Sequence, residues 1–208
     1  GYDLMDTKPL LQYGYGKLPG VYHALEIERL FNSAGPSGGK VIMRDGKEPQ
    51  SIAILHCIGS RDKNHHEYCS RVCCMYSLKF AHLLKEKTHG DVYPLYIDMR
   101  APGKGYEEFY NRLVEEDVKF IRGKAARVTD KSDNPDFAGK LIVEVDDTLM
   151  GRFAKIPVDM VVLSPAMKPR ADAREMARLL NLSTDKYGFF MERHPKLAPL
   201  STMTEGVF

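Results

Sequence analysis

The run Ser51-Ile52-Ala53-Ile54-Leu55-His56-Cys57 decides the fold class that this sequence predicts. Four consecutive apolar residues lie at its centre, and a short uninterrupted apolar run is typical of a strand buried on both faces of a parallel sheet. A helix is predicted over residues 70–87, because Tyr76, Phe80 and Leu84 recur at helical spacing. A strand that leads directly into a helix is the first unit of an α/β fold.

The same alternation continues after this helix. Apolar residues predict a second strand over residues 92–97, an amphipathic helix over residues 106–114 and a third strand over residues 118–121. This order indicates an α/β fold with a doubly wound parallel sheet of the dinucleotide-binding type. The rest of the chain is predicted to contain a short helix (23–33), a β-meander (125–129, 140–145, 151–156), a buried strand (158–163), a last helix (173–180) and a short strand (187–191).

The charge balance and the absence of long apolar runs argue against some classes of protein. With 30 basic and 28 acidic residues, the formal net charge is +2 and no basic stripe stands out, which argues against nucleic acid as a partner. The apolar runs are far too short to span a bilayer, so no direct membrane insertion is expected. No export signal opens the chain, so we expect a cytoplasmic location.

All four cysteines lie within eighteen residues, at Cys57, Cys69, Cys73 and Cys74. Cys57 ends the first predicted strand, in the crevice where doubly wound sheets bind ligands. The other three lie at the predicted start of the next helix, where backbone N–H groups and the helix dipole favour negative charge. We therefore expect lowered thiol pKa values and a site that holds metal.

Several chemistries are compatible with this cysteine group. Four thiolates can hold a [4Fe–4S] cluster, whose negative charge Arg61, Arg71 and the backbone amides of Gly59 and Ser60 would balance. Zn²⁺ also accepts four thiolates, although adjacent cysteines strain a compact tetrahedron. Cys73 with Cys74, or Cys69 with Cys73, would suit a thiol–disulfide couple, and buried structural cysteines are the remaining alternative.

The nucleotide fingerprint of this fold is missing. A dinucleotide site shows G-x-G-x-x-G directly after the first strand, whereas this chain has Cys57-Ile58-Gly59-Ser60-Arg61-Asp62. A cysteine thus occupies the turn that would bind pyrophosphate. We expect no NAD(P) at this position.

Three sequence blocks carry a resemblance to a known family. The first is Cys57-Ile58-Gly59-Ser60-Arg61-Asp62 with Tyr68-Cys69-Ser70-Arg71-Val72-Cys73-Cys74-Met75-Tyr76. The second is Tyr96-Ile97-Asp98-Met99-Arg100, and the third is Tyr13-Gly14-Tyr15-Gly16 with Leu25-Glu26-Ile27-Glu28-Arg29-Leu30. They resemble HdrA, the iron–sulfur flavoprotein of heterodisulfide reductase, and the related flavoprotein of the quinone-interacting membrane-bound oxidoreductase.

This resemblance implies a thioredoxin-reductase-like architecture, in which a nicotinamide-type domain interrupts an FAD domain. Residues 1–50 would then connect from the FAD domain, residues 51–168 would form the Rossmann-like domain with the cysteines, and residues 169–208 would return toward the FAD domain. Gly1-Tyr2-Asp3 and Thr204-Glu205-Gly206-Val207-Phe208 resemble the segments that leave and rejoin that domain. FAD itself would be bound mostly outside this chain.

The resemblance also implies a function in electron transfer. Cys57, Cys69, Cys73 and Cys74 would be ligands of a [4Fe–4S] cluster that exchanges electrons with FAD, in some members by flavin-based bifurcation. Arg100, at the end of the second strand, is a further candidate for cofactor binding. The implied partners are other heterodisulfide-reductase-like subunits, a hydrogenase or similar electron donor, and a second copy of the full-length protein.

Overall fold

A computed structural model describes all 208 residues of the chain. The chain forms two compact units: residues 6–166 make up the central unit, and residues 1–5 with 167–208 make up the end unit. The strands are β1 (Tyr2–Leu4), β2 (Val21–His23), β3 (Ser51–Ile58), β4 (Asp91–Tyr96), β5 (Ile121–Arg122), β6 (Ala125–Thr129), β7 (Leu141–Asp147), β8 (Arg152–Val158), β9 (Met160–Pro165) and β10 (Met167–Pro169). The α-helices are α1 (Ala24–Phe31), α2 (Cys73–Thr88), α3 (Tyr106–Glu115) and α4 (Ala173–Leu179).

The central unit is organised by a five-stranded parallel sheet with the order β2-β9-β3-β4-β5. This sheet confirms the predicted α/β class. Its strand β3 is the apolar run that opens at Ser51, and it lies at the middle of the sheet. The edge strand β2 was not predicted, because three residues between a turn and a helix carry almost no periodic signal.

The two faces of the sheet are covered differently. Residues such as Ile52 and Ile54 pack with the apolar side chains of α1, α2 and α3 in one core. Ala53 and Leu55 alternate with them on the opposite face and are also fully buried. The antiparallel meander β6-β7-β8, which confirms the prediction, contacts β3 through β8.

Three predicted elements differ from the structure. The third strand, predicted over residues 118–121, is the two-residue β5 (Ile121–Arg122). Helix α2 begins at Cys73, later than residue 70, so Cys69 lies on the loop that precedes the helix. The strand predicted over residues 187–191 is a loop with one isolated bridge, between Thr184 and Phe190. The proposed domain boundaries at residues 50 and 168 remain predictions.

The end unit contains both termini. Strands β1 and β10 form an antiparallel pair, with Leu4 opposite Met167. Helix α4 follows, and most of residues 180–208 form turns and loops. None of the helices in the chain has the length and apolar character needed to cross a lipid bilayer.

Parallel strands all end at the same edge of their sheet, and this property positions the cysteines. Strands β3, β4 and β9 end at Ile58, Tyr96 and Pro165. Helix α2 begins at Cys73, after the loop that follows β3. Cys57 on β3 and Cys73 on α2 are therefore brought to the carboxyl edge, which is where open α/β sheets bind ligands.

Candidate metal centre

Cys57 lies in a strained stretch of β3. The pairing of β3 with β9 shifts register between Leu55 and Ile58, and Cys57 adopts a φ of 57°. A register shift of this kind re-aims a side chain, and a left-handed conformation at a non-glycine residue costs about 1–3 kcal/mol. The fold thus holds Cys57 in a conformation that an ordinary strand residue would avoid.

The loop after β3 turns the chain back toward Cys57. The N–H of Arg61 donates to the Tyr68 carbonyl at 3.0 Å, and the N–H of His66 donates to the Gly59 carbonyl at 3.0 Å. The hydroxyls of Ser60 and Ser70 are 2.9 Å apart. These bonds bring Cys69 close to the end of β3.

The remaining thiols lie around the start of α2. Cys73 and Cys74 are 2% and 4% exposed, whereas Cys69 is half-buried. The N–H of Arg71 donates to Cys69 Sγ at 3.4 Å, and Cys74 Sγ lies 3.8 Å from the carbonyl oxygen of Asp98 on the loop after β4. No side chain caps the amino terminus of α2, so its backbone dipole is directed at the cysteine group.

The pKa values of three of these thiols are raised. Burial is the largest cause and raises the pKa of Cys57 to about 11, of Cys73 to about 12, and that of Cys74 above its usual value. Neighbouring cysteines add to each shift, so the four thiols are within electrostatic reach of one another. The expectation of lowered thiol pKa values was wrong for these three cysteines, because burial outweighs the hydrogen bonds and positive charges that act to lower their pKa values.

Arg61 provides a half-buried positive charge beside the thiols. Its Nη2 is 2.8 Å from Asp98 Oδ2, while its Nη1 is buried and has no hydrogen-bond partner. Burial lowers the pKa of Arg61, but Asp98 and the nearby Cys57 and Cys69 more than offset this. An unpartnered guanidinium nitrogen next to cysteines is suited to an anionic group bound there.

The other predicted site residues are divided between two places. Gly59 and Ser60 belong to the loop that returns to Cys69, and Gly59 has a φ of 74°. Arg71 and Arg100 instead line a hollow of about 580 Å³ together with Met99, Ala101 and Pro102. Arg100 also reaches the cysteines, because its backbone N–H bonds to Cys74 and acts to lower the pKa of that thiol.

Two polar groups near the cysteines were not given a role from the sequence. Both ring nitrogens of His56 are buried without a partner, and burial lowers the pKa of this residue to about 4. The hydroxyl oxygen of Tyr76 is likewise buried and unpartnered. A histidine within an apolar strand run was a visible signal, whereas Tyr76 looked like an ordinary member of a helix stripe.

The donor set consists of sulfur. The thiols lie near one another, but no group of three or more His, Cys, Asp and Glu side chains is placed to hold a metal ion in this structure. An iron–sulfur cluster spreads four thiolates over several iron atoms. Four neighbouring thiols, an unpartnered arginine nitrogen and an uncapped helix terminus fit such an anionic group.

Comparison with curated proteins identifies the family. The chain is 44% identical over 214 residues to an HdrA protein of Methanopyrus kandleri, an iron-sulfur subunit of its CoB–CoM heterodisulfide reductase. It is 45% identical over 211 residues to the corresponding HdrA protein of Methanocaldococcus jannaschii. The chain belongs to the HdrA family of heterodisulfide reductase subunits. All of the chain is matched, but it spans only 32% of the length of these two relatives.

Comparison with solved structures identifies the fold. No protein-family model matches the chain. Among solved structures, thioredoxin reductase from T. acidophilum superimposes with a TM-score of 0.55 at 10% identity, covering the whole chain and 53% of the enzyme. Thioredoxin reductase from Lactococcus lactis gives 0.52 at 16% identity, covering the whole chain and 54% of the enzyme. At such identities the likeness shows the fold alone, and it confirms the thioredoxin-reductase-like fold expected of this family member.

Proposed function

We propose that this chain is the cluster-binding part of an electron-transferring iron–sulfur flavoprotein of the heterodisulfide reductase type. The observation that carries the proposal is the placement of the four cysteines at the carboxyl edge of the sheet, at the end of β3, on the loop that returns to it and at the start of α2. An unpartnered arginine nitrogen lies beside them. Family membership supports the proposal, because one relative is named an iron-sulfur subunit. The class of activity is oxidoreductase.

In this proposal Cys57, Cys69, Cys73 and Cys74 are the ligands of a [4Fe–4S] cluster. The cluster supplies a one-electron carrier when bound. The buried positions of Cys57, Cys73 and Cys74 exclude water from most of the site, and the half-buried Cys69 marks the side open to an electron partner. The cysteines act as ligands and not as nucleophiles, so this chain alone turns over no substrate.

The residues around the thiols stabilise negative charge in this proposal. Arg61 contributes its Nη1, Gly59 and Ser60 contribute backbone amides, and Arg71 donates its N–H to Cys69. Arg100 would bind a phosphate or assist the cluster from the adjacent hollow. Hydrogen bonds to cluster sulfurs and nearby charge both set reduction potential.

The wider assignments belong to the full-length protein. We propose that FAD is bound mostly outside this chain, and that electrons pass between FAD and this cluster, with bifurcation as one form of that exchange. The partners would be other reductase subunits, a hydrogenase or ferredoxin-type donor, and a second copy of the protein, in the cytoplasm. Relatives with the name heterodisulfide,ferredoxin reductase support this assignment.

The deciding experiment compares anaerobically purified protein with its Cys73→Ser variant. We expect the variant to lose about four iron atoms and four acid-labile sulfides per chain. The EPR signal of the dithionite-reduced cluster should disappear or change with them. The control is Thr88→Ser, a buried position at the far end of α2, which should keep both.

Two other outcomes would replace the proposal. Stoichiometric zinc in colourless protein that unfolds with chelator would indicate a zinc-stabilised module. Thiols that titrate near neutral pH, with no metal at all, would indicate thiol–disulfide exchange.

A further inference from the structure

Tyr76 places an unpartnered hydroxyl under the cysteines. It lies on α2 three residues after Cys73, so both side chains lie on the same face of the helix. Long helical side chains lean back toward the amino terminus, which directs the Tyr76 ring toward the turn that carries Cys73 and Cys74. Its hydroxyl oxygen is buried and has no hydrogen-bond partner.

Electrostatic interactions link the Tyr76 hydroxyl with the cysteines. Burial is the largest cause of a raised pKa at Tyr76, and the next is Cys73, with Cys57 and Cys74 contributing in the same direction. This hydroxyl and the three thiols therefore lie in the same buried region. Ring packing against Phe80, with centroids 5.4 Å apart, holds the side chain in place.

Ser164 is the competing neighbour. The nearby Ser164 hydroxyl acts to lower the pKa of Tyr76 and lies 2.8 Å from that of Ser77. A hydroxyl bonded to Ser77 still has a lone pair that could accept from Tyr76. Tyr76 Oη is not in hydrogen-bond geometry with it. A buried hydroxyl that lacks a partner but has several thiols beside it is matched to an acceptor held by those thiols.

We propose that the Tyr76 hydroxyl donates a hydrogen bond to a sulfur atom of the cluster held by the four cysteines, and so raises the reduction potential of that cluster. The proposal rests on the proposed function. A donor at a cluster sulfur stabilises the more negative, reduced form. Tyr76 thus contacts the cofactor and adjusts its reduction potential, although it binds no metal.

The test is an EPR redox titration of the Tyr76→Phe variant, which removes only the hydroxyl. We expect a fall of about tenfold in the equilibrium constant for one-electron reduction, a potential about 59 mV more negative. The control is Tyr110→Phe, because the hydroxyl of Tyr110 interacts with Tyr96 and with no cysteine. Its potential should equal that of the unmodified protein.

A second variant keeps the shape of the side chain. Site-specific replacement of Tyr76 by 3-fluorotyrosine strengthens the hydroxyl as a donor and should move the potential in the positive direction. If Tyr76→Phe fails to hold iron, the 3-fluorotyrosine variant tests the inference instead. An unchanged reduction potential in the variant that holds iron would overturn the inference. Iron missing from the unmodified protein would overturn the proposed function itself.

Discussion

At the amino edge of the parallel sheet, where β3 and β9 begin, the carboxylate of Asp159 has partners on both oxygens. Oδ2 accepts from the N–H groups of Gln50 and Ser51 at 2.9 and 3.0 Å and from the Ser51 hydroxyl at 2.9 Å. Oδ1 accepts from Lys140 Nζ at 2.6 Å. This network joins the starts of two strands that are more than one hundred residues apart in the sequence.

The carboxyl edge of the same strands is built in the opposite way. Polar atoms of His56, Arg61 and Tyr76 are buried there without partners. Cys57, Arg61 and Arg71 all have positive φ values, of 57°, 55° and 66°. Unsatisfied buried groups and strained backbone each lower stability by about 1–3 kcal/mol. One edge therefore stabilises the fold, and the other carries strain that a bound group would relieve.

The largest effect is expected at the stabilising edge. Asp159→Ala removes the acceptor of the whole network, and we expect the free energy of unfolding to fall by about 2–3 kcal/mol. Chemical denaturation measures this. The control is Asp130→Ala, an exposed carboxylate that lines a hollow with Asp159, where a change within about 0.5 kcal/mol is expected.

The pH dependence of stability gives a second readout on Asp159. Burial would raise its pKa, but the hydrogen bonds from Lys140, Ser51 and Gln50 hold it below its usual value. The folded state therefore binds this proton less readily than the unfolded state, and the stabilisation is lost as pH falls through about 4 and below. Asp159→Asn should remove that part of the acid destabilisation, and an unchanged pH profile would contradict the role given to this carboxylate.

A gain in stability is expected at the strained edge. His56→Leu replaces an unpartnered buried imidazole with an apolar side chain, and in protein stripped of metal we expect a gain of about 1–2 kcal/mol. The comparison is His82→Leu, because His82 Nδ1 is 2.8 Å from Glu116 Oε2 and its replacement should reduce stability. A loss of stability in His56→Leu would mean that the imidazole has a partner in solution.

The smallest effect concerns the loop between Cys57 and Cys69. Ser60→Ala breaks the 2.9 Å hydroxyl pair with Ser70 and should cost about 1 kcal/mol. Hydrogen exchange should show faster opening of the backbone amides of residues 61–66. The control, Ser33→Ala at an exposed position, should leave these amides unchanged, and equal protection in both variants would show that the pair does not hold the loop.

The sequence predicted the parts of the fold that depend on local pattern. The apolar run of β3, the stripe of α3 and the meander were all visible, and with them the position of Cys57 at the carboxyl edge. Strand β2 was missed because it is defined by its pairing with β9, about 140 residues later, and three residues carry no period of their own.

The candidate site was predicted by residue but not by environment. Positions of the four cysteines along the chain indicated a metal site, yet the raised thiol pKa values depend on burial, which only packing reveals. The positive φ of Cys57 depends on a register shift against β9. The unpartnered hydroxyl of Tyr76 also depends on tertiary packing, because the nearby Ser164 on β9 lies outside hydrogen-bond geometry with it.

The pairing of β1 with β10 brings together the two ends of the central unit's chain segment. Because Leu4 lies opposite Met167, the chain leaves the end unit and re-enters it beside the same strand pair. Residues 6–166 therefore form a segment whose two ends lie close together. Such a segment can be inserted or removed without changing the fold of the rest of the protein. The four cysteines all lie inside this segment, so inserting or removing it would add or remove all four proposed ligands together.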